Sequence, residues 1–248
     1  MGTVEFMRWW WREISGLVLP VDCGGCGRPR TALCEECAGA LYGAGARRVR
    51  PDPEPGGLPV VHAAAGYEDA VRAVLLGHKE RGALGLAGAL GRALAGAVRA
   101  SAPYAGGSGP LLLVPVPSAR SAVRARGHDP ARRIALSASA ELRRTGVPAR
   151  VLAVLRQRRA VADQSGLSAR QRLVNLSGAL AVAAGGARLL EGGRVVLVDD
   201  LMTTGASLAE AARAVGEAVG EAREFNGPGV LGAAVVAAPV SAFPSLRK

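Results

Sequence analysis

Along the chain, short unbroken apolar runs alternate with longer stretches in which apolar residues recur every three or four positions. The runs are "VVHAAAG", "LLLVPVP" (Leu111 to Pro117), "VPARVLAVLR", "GALAVAA", "RVVLVDD" (Arg194 to Asp200) and "GVLGAAVVAA". Glycine, proline or charge bounds most of them, which is the pattern of buried strands. Between them, "YEDAVRAVLLGHKERG", "ALGLAGALGRALAGAVRA", "DPARRIALSASAELRRTG" and "GASLAEAARAVGEAVGEA" carry helical periodicity. Continuous apolar strands alternating with helices predict an α/β fold: a parallel sheet with helices on both faces. Three stretches break the alternation. "YGAGARRVRPDPEPGGLP" (Tyr42 to Pro59) reads as a linker from its Pro, Gly and charge content. "QRRAVADQSGLSARQRLVN" is long, polar and basic. The start, with three tryptophans from Trp9 to Trp11, predicts a short helix docked on its neighbours, with contact at a membrane surface as the alternative.

The predicted organisation is a small unit over residues 1–45, a linker over 46–58, and one main domain over 59–248. A chain of 248 residues is long enough for a full core plus such an appendage. Much of its 49% hydrophobic content is alanine, and the chain reads as globular. The longest apolar stretches are interrupted by arginine or glycine and fall short of the ~18 to 20 residues of a membrane span. Glu5, Arg8, Arg12 and Glu13 scatter through the first segment, which lacks the basic start and unbroken apolar core of a secretion signal. The expected location is the cytoplasm.

All four cysteines fall in "CGGCGRPRTALCEEC": Cys23, Cys26, Cys34 and Cys37. Two C-x-x-C turns can close a tetrahedral thiolate shell around one zinc ion. Two disulfides are the alternative, and they suit a secreted chain. A closed four-thiolate shell leaves no open position, so this metal is expected to be structural.

Charge changes the picture in one place. The net charge is +11. Between Arg120 and Arg172, 13 arginines face Asp129, Glu141 and Asp163, a local balance of +10. Such a segment invites phosphates, from a small ligand or from nucleic acid.

The strongest chemical signal is "RVVLVDDLMTTGAS" (Arg194 to Ser207). In an open parallel sheet, ligands bind beyond the carboxyl ends of the strands. Asp199 and Asp200 are expected at such an end, on the sheet rim. Behind them Thr203, Thr204, Gly205, Ala206 and Ser207 turn into a helix, whose first amides and hydroxyls can hold a phosphate. Two carboxylates that accept from neighbouring hydroxyls, beside a phosphate loop, describe a ribose 5-phosphate with a free 2′,3′ diol. No G-K-S/T follows a glycine-rich loop, so a P-loop nucleotide site is excluded, and the helix glycines do not make a dinucleotide fingerprint.

This stretch resembles the phosphoribosyl pyrophosphate (PRPP) loop of type I phosphoribosyltransferases. With the cysteine unit, "VPVPSARSAVRARGHD" and "DQSGLSARQRLVNLSGA" in the same order, residues 17 to 238 resemble the ComF/GntX family. The resemblance implies a type I phosphoribosyltransferase-like sheet with a small N-terminal zinc knuckle. It implies that Asp199 and Asp200 hold ribose as catalytic residues, and that Thr203 to Ser207 hold the 5-phosphate. It places Arg120, Arg124 and Arg126 near the pyrophosphate. It assigns Gln164, Ser168, Arg172 and Asn175 to a mobile flap, with Mg²⁺ riding on the pyrophosphate and ribose oxygens. Arg126-Gly127-His128-Asp129-Pro130 departs from the family's R-G-F-N-Q, which alters whatever that turn contacts. Leu201 and Met202 replace a valine-led pair.

Three functions follow from the resemblance: phosphoribosyl transfer to an acceptor, a non-catalytic competence factor working on single-stranded DNA beside a DNA-uptake helicase, and a PRPP or nucleotide sensor. No Phe, Tyr or Trp lies between Tyr104 and Phe225, so stacking platforms for a DNA strand are missing from the basic segment.

Overall fold

The computed structural model describes residues 22–104, 109–159, 161, 168–221 and 232–244. The expected N-terminal tryptophan helix lies outside them. The elements run α1 (Glu35–Tyr42), β1 (Arg47–Val49), β2 (Val60–Gly66), α2 (Asp69–Glu80), α3 (Ala87–Ser101), β3 (Leu111–Pro115), α4 (Arg120–Arg126), α5 (Pro130–Arg144), β4 (Ala149–Val151), β5 (Leu155–Gln157), α6 (Ala169–Leu176), β6 (Leu180–Val182), α7 (Gly186–Leu190), β7 (Arg194–Leu201), α8 (Ala206–Glu221) and β8 (Gly232–Ala238).

Among the described residues the main sheet has the order β1-β2-β8-β7-β3-β4. The strands from β2 to β4 are mutually parallel. This is an α/β architecture with a mostly parallel sheet flanked by helices. The apolar runs are continuous because both faces are buried. Leu111, Leu113, Val196 and Val198 pack with α2, α3 and α5 on one face. Leu112, Val114, Val195 and Leu197 pack with α8 on the other. Alternate side chains of one strand serve two cores, so no polar position breaks the run.

Two details differ from the sequence reading. The stretch read as a linker contributes β1, which joins the sheet edge antiparallel to β2. Val49 drives this: it is 2% exposed and belongs to the second core. "VPARVLAVLR" is not one strand. Its first part, β4, pairs with β3, while β5 leaves the sheet and pairs antiparallel with β6. The run stays apolar because Ala149 enters the first core and Val154 and Leu155 enter the second. Glu210 and Arg213 of α8 hold this antiparallel pair: Leu180 N donates to Glu210 Oε1 at 2.9 Å, and Arg213 Nη2 donates to Leu180 O at 3.0 Å.

The topology sets the position of a site. From β3 the chain crosses through α5 to β4 on one side, and from β7 it crosses through α8 to β8 on the other. The connections therefore part at the β3/β7 boundary. A crevice at the carboxyl ends of these two strands is where open α/β sheets bind ligands. The ladder continues one step past β3, with Val116 N donating to Val198 O at 2.9 Å.

Candidate functional site

The residues of "DDLMTTGAS" come together at this crevice. A shallow, open recess is lined by Asp199 and residues 201–208. Its floor is the last turn of β7 and its wall is the first turn of α8, whose leading amides have no carbonyl ahead of them in the helix. The chain reverses at Gly205, which has φ +75°. The positive φ favours glycine, and a Cβ there would crowd Leu58 at 3.1 Å and Pro51 at 3.3 Å. The segment before β2 thus lies against the loop.

Alternation along β7 separates the two aspartates. Asp199 is half-buried and lines the recess. Its Oδ1 accepts from Asp200 N at 2.8 Å. Burial first, and the adjacent Asp200 carboxylate second, push its pKa well above the usual carboxylate range, against the opposing pull of Lys79. Asp200 is not at an open rim, as the sequence suggested. It is 4% exposed, and its Oδ2 lies 2.8 Å from Lys79 Nζ. A charge can be buried here because a half-buried cation is paired with it. Burial works against the Lys79 ammonium, but Asp200 and Asp199 outweigh it and raise its pKa.

Lys79 is the residue that sequence reasoning missed. It sits on α2, far from Asp200 in sequence. One signal was available: only Lys79 and Lys248 are lysines in a chain otherwise written with arginine.

Of the segment expected as a flap, Gln164 lies outside the described residues. Ser168 is the N-cap of α6 in a reciprocal capping box with Gln171, so its hydroxyl serves the helix. Asn175 O accepts from Arg159 Nη2 at 2.9 Å. Arg172 alone reaches the loop: its Nη1 donates to Thr203 Oγ1 at 3.0 Å, while its buried Nε has no partner. The three arginines after β3 divide. Arg120 and Arg124 are exposed on α4. Arg126 is not directed to the recess; it pairs with Glu80 of α2 at 2.9 Å. The Asp129-Pro130 pair has a local purpose. Asp129 caps α5 by accepting from Arg132 N at 3.1 Å, with Pro130 at the first helical position, and it accepts from Ser118 N at 3.3 Å.

The cysteines form a separate cluster. The four Sγ atoms lie within 4.8 Å of one another, and Cys26 and Cys34 are 3.7 Å apart. Zinc–sulfur bonds of about 2.3 Å require edges of about 3.8 Å in a tetrahedron, so the cluster could hold one zinc ion. All four thiols are free, and Cys34 N donates to Cys23 Sγ at 3.3 Å. Although burial opposes it, backbone donors from Cys26, Cys34 and Gly25 bring the Cys23 pKa down to about 6. Burial and the neighbouring thiols push Cys37 up. Four thiolates cannot share this volume without a cation. The knuckle leans on α2 and on the turn that follows it: a Cβ at Gly25 would meet Ala70 of α2 at 3.2 Å, and one at Gly24 would meet Leu86, between α2 and α3, at 2.8 Å. Protein purified without chelator is expected to carry one equivalent of zinc by elemental analysis. A strong chelator should speed amide exchange in residues 22–43 and leave the sheet protected. Metal-free protein with an ordered knuckle would remove this reading.

No helix of the described residues is long and apolar enough to cross a membrane. No model of a known protein family matches the chain, and no curated protein matches it.

Proposed function

We propose that the protein binds PRPP with Mg²⁺ and transfers its phosphoribosyl group to an acceptor, as the resemblance to the ComF/GntX family implies. The observation that supports this best is the recess at the β3/β7 crevice, where a strand-end carboxylate faces a hydroxyl-rich loop and a helix N-terminus. In this reading the 5-phosphate sits on the first-turn amides of α8 and the hydroxyls of Thr203, Thr204 and Ser207. Arg172 turns its unpartnered Nε to the same phosphate. Asp199 accepts from a ribose hydroxyl, and Asp200, on the opposite face of β7 and paired with Lys79, fixes the strand end behind it. The exposed Arg120 and Arg124 receive the pyrophosphate that leaves C1. Mg²⁺ arrives as part of the substrate, neutralising pyrophosphate charge. The chain need supply no nucleophile, because the acceptor attacks C1.

The test is calorimetry with PRPP and Mg²⁺, followed by a pyrophosphate-release assay over a panel of bases and amines. Asp200→Asn keeps the shape and removes the charge. It is expected to weaken PRPP binding at least about tenfold, since it breaks the charge-assisted contact with Lys79 that holds the end of β7 beside the recess. Equal affinity in the variant would show that the site is misassigned. Binding without pyrophosphate release for any acceptor would favour a sensor.

A second reading, single-stranded DNA handling beside a helicase, is favoured by one observation. Arg132, Arg133, Arg143 and Arg144 on α5 join Arg120 and Arg124 as exposed cations. Competition separates the two. DNA bound weakly, with a steep salt slope and partial displacement by PRPP, fits the phosphate pocket. Tight DNA binding at physiological salt, indifferent to PRPP, fits a separate DNA surface.

A further inference from the structure

The turn Arg126-Gly127-His128 has no part in the reading above, yet it touches α2 beside Lys79. His128 is half-buried. Its Nδ1 lies 3.2 Å from Arg126 O, and its Nε2 lies 3.2 Å from His78 O. Both partners are backbone carbonyls, which only accept. A neutral imidazole carries one N–H and can donate to only one of them; an imidazolium donates to both. His78 O belongs to the last turn of α2, where the negative end of the helix dipole favours a cation. The other ring in the contact is His78, fully buried and edge-on to His128, with centroids 5.5 Å apart. Both His78 nitrogens lack a partner. Burial first, and His128 second, lower the His78 pKa to about 4, so His78 stays neutral.

The charged groups around the two rings mostly cancel. On α2, Lys79 is engaged by Asp200 of β7, and Glu80 by Arg126 of α4. Asp129 is spent on the α5 cap and on Ser118 N. Arg133 of α5 remains as a cation that acts against charge on His78.

We propose that His128 is a proton-dependent positioning residue for the ligand site. As imidazolium it ties the α4–α5 turn to the last turn of α2, and so fixes the helix end that presents Lys79 to Asp200. Loss of the proton releases one of the two ties. The device is engaged at low pH and lost as pH rises. Its effect on ligand binding rests on the PRPP reading; the tie itself does not.

Two measurements on the full chain keep these apart. The first is PRPP–Mg²⁺ calorimetry between about pH 5 and about pH 8 for wild type and His128→Gln. The ratio of the two affinities removes titration of the PRPP phosphates. This ratio is expected to fall at least about fivefold as pH rises, the low end of coupling between separate groups. The second uses no ligand: amide exchange of residues 79–83, referred at each pH to His128→Gln. Wild type is expected to be more protected at low pH and to lose the difference at high pH. A ratio and an exchange difference that are both flat in pH would overturn the proposal. A pH-dependent exchange difference in a protein that does not bind PRPP would uphold the tie and remove the PRPP reading. If His128→Gln fails to fold, nitrogen-15 spectra of the wild-type ring decide. Two ring N–H groups while both carbonyl contacts persist support the tie, and a single neutral tautomer holding both contacts overturns it.

Discussion

Lys79→Met is expected to destabilise the fold by about 2 to 4 kcal/mol. Methionine preserves most of the stem and removes only the ammonium. Asp200, with 5% of its side chain exposed, would then hold a buried charge with its cation 2.8 Å away deleted. Breaking a fully buried pair costs about 3 to 5 kcal/mol. The lower range applies here because 32% of the Lys79 side chain is exposed and water screens that end. Urea denaturation checks the loss. The double variant Lys79→Met, Asp200→Asn should recover most of it, because the uncompensated charge is gone, yet it should not recover PRPP affinity. A single variant as stable as wild type would show that Asp200 does not depend on Lys79.

Asp199→Asn is expected to do the opposite to stability while removing function. Folding raises the pKa of this carboxyl, through burial and through the Asp200 charge. A raised acid pKa means that the folded state prefers the protonated form. The folded protein therefore loses stability as pH climbs from the unfolded Asp value near about 4 toward the raised folded value, and the loss persists above it. An amide is never charged and escapes this loss. Thermal melts of the two proteins should converge below about pH 4 and separate at neutral pH, the variant melting higher. On the PRPP reading, calorimetry should show affinity reduced at least about tenfold, since the amide cannot ionise when a ribose hydroxyl donates to it. A variant that melts at the wild-type temperature at neutral pH would contradict the strained carboxyl. On that reading, a carboxyl whose removal stabilises the fold trades stability for ligand binding.

Legibility in the sequence followed the range of the interaction. β7 and its turn into α8 could be read directly, because a buried parallel strand is a continuous apolar run and Thr203 to Ser207 follow it without a gap. The cysteine cluster could be read from spacing alone. Lys79 could not be assigned, because only tertiary packing brings α2 against β7. The burial of Asp200 followed from that ignorance: without its cation, the sheet rim was the only place that tolerated the charge. α4 left no pattern because none of its seven residues is buried. The split of β4 from β5 was hidden because two different cores demand the same kind of residue. Arg126 looked like a pyrophosphate ligand from its neighbours Arg120 and Arg124, and its pairing with Glu80 depends again on where α2 lies. Asp129 and Pro130, read as a departure from a ligand-contacting turn, carry a helix cap that a local motif search for S/T/D/N before proline would have found.

The alternation of β7 bears on which kinds of sequence change this protein tolerates. Val195, Leu197 and Asp199 share one face, and Val196, Val198 and Asp200 the other. Swapping one aliphatic residue for another along the strand leaves that division intact. Gaining or losing a single residue between Arg194 and Val198 does not: every side chain beyond the change moves to the opposite face. The recess would then receive the carboxylate meant for Lys79, and α2 would receive the one meant for the recess. Variation in this strand should accordingly be free in composition and closed to insertion and deletion, a pattern that deep mutational libraries containing single-codon indels would display as a sharp boundary at Arg194.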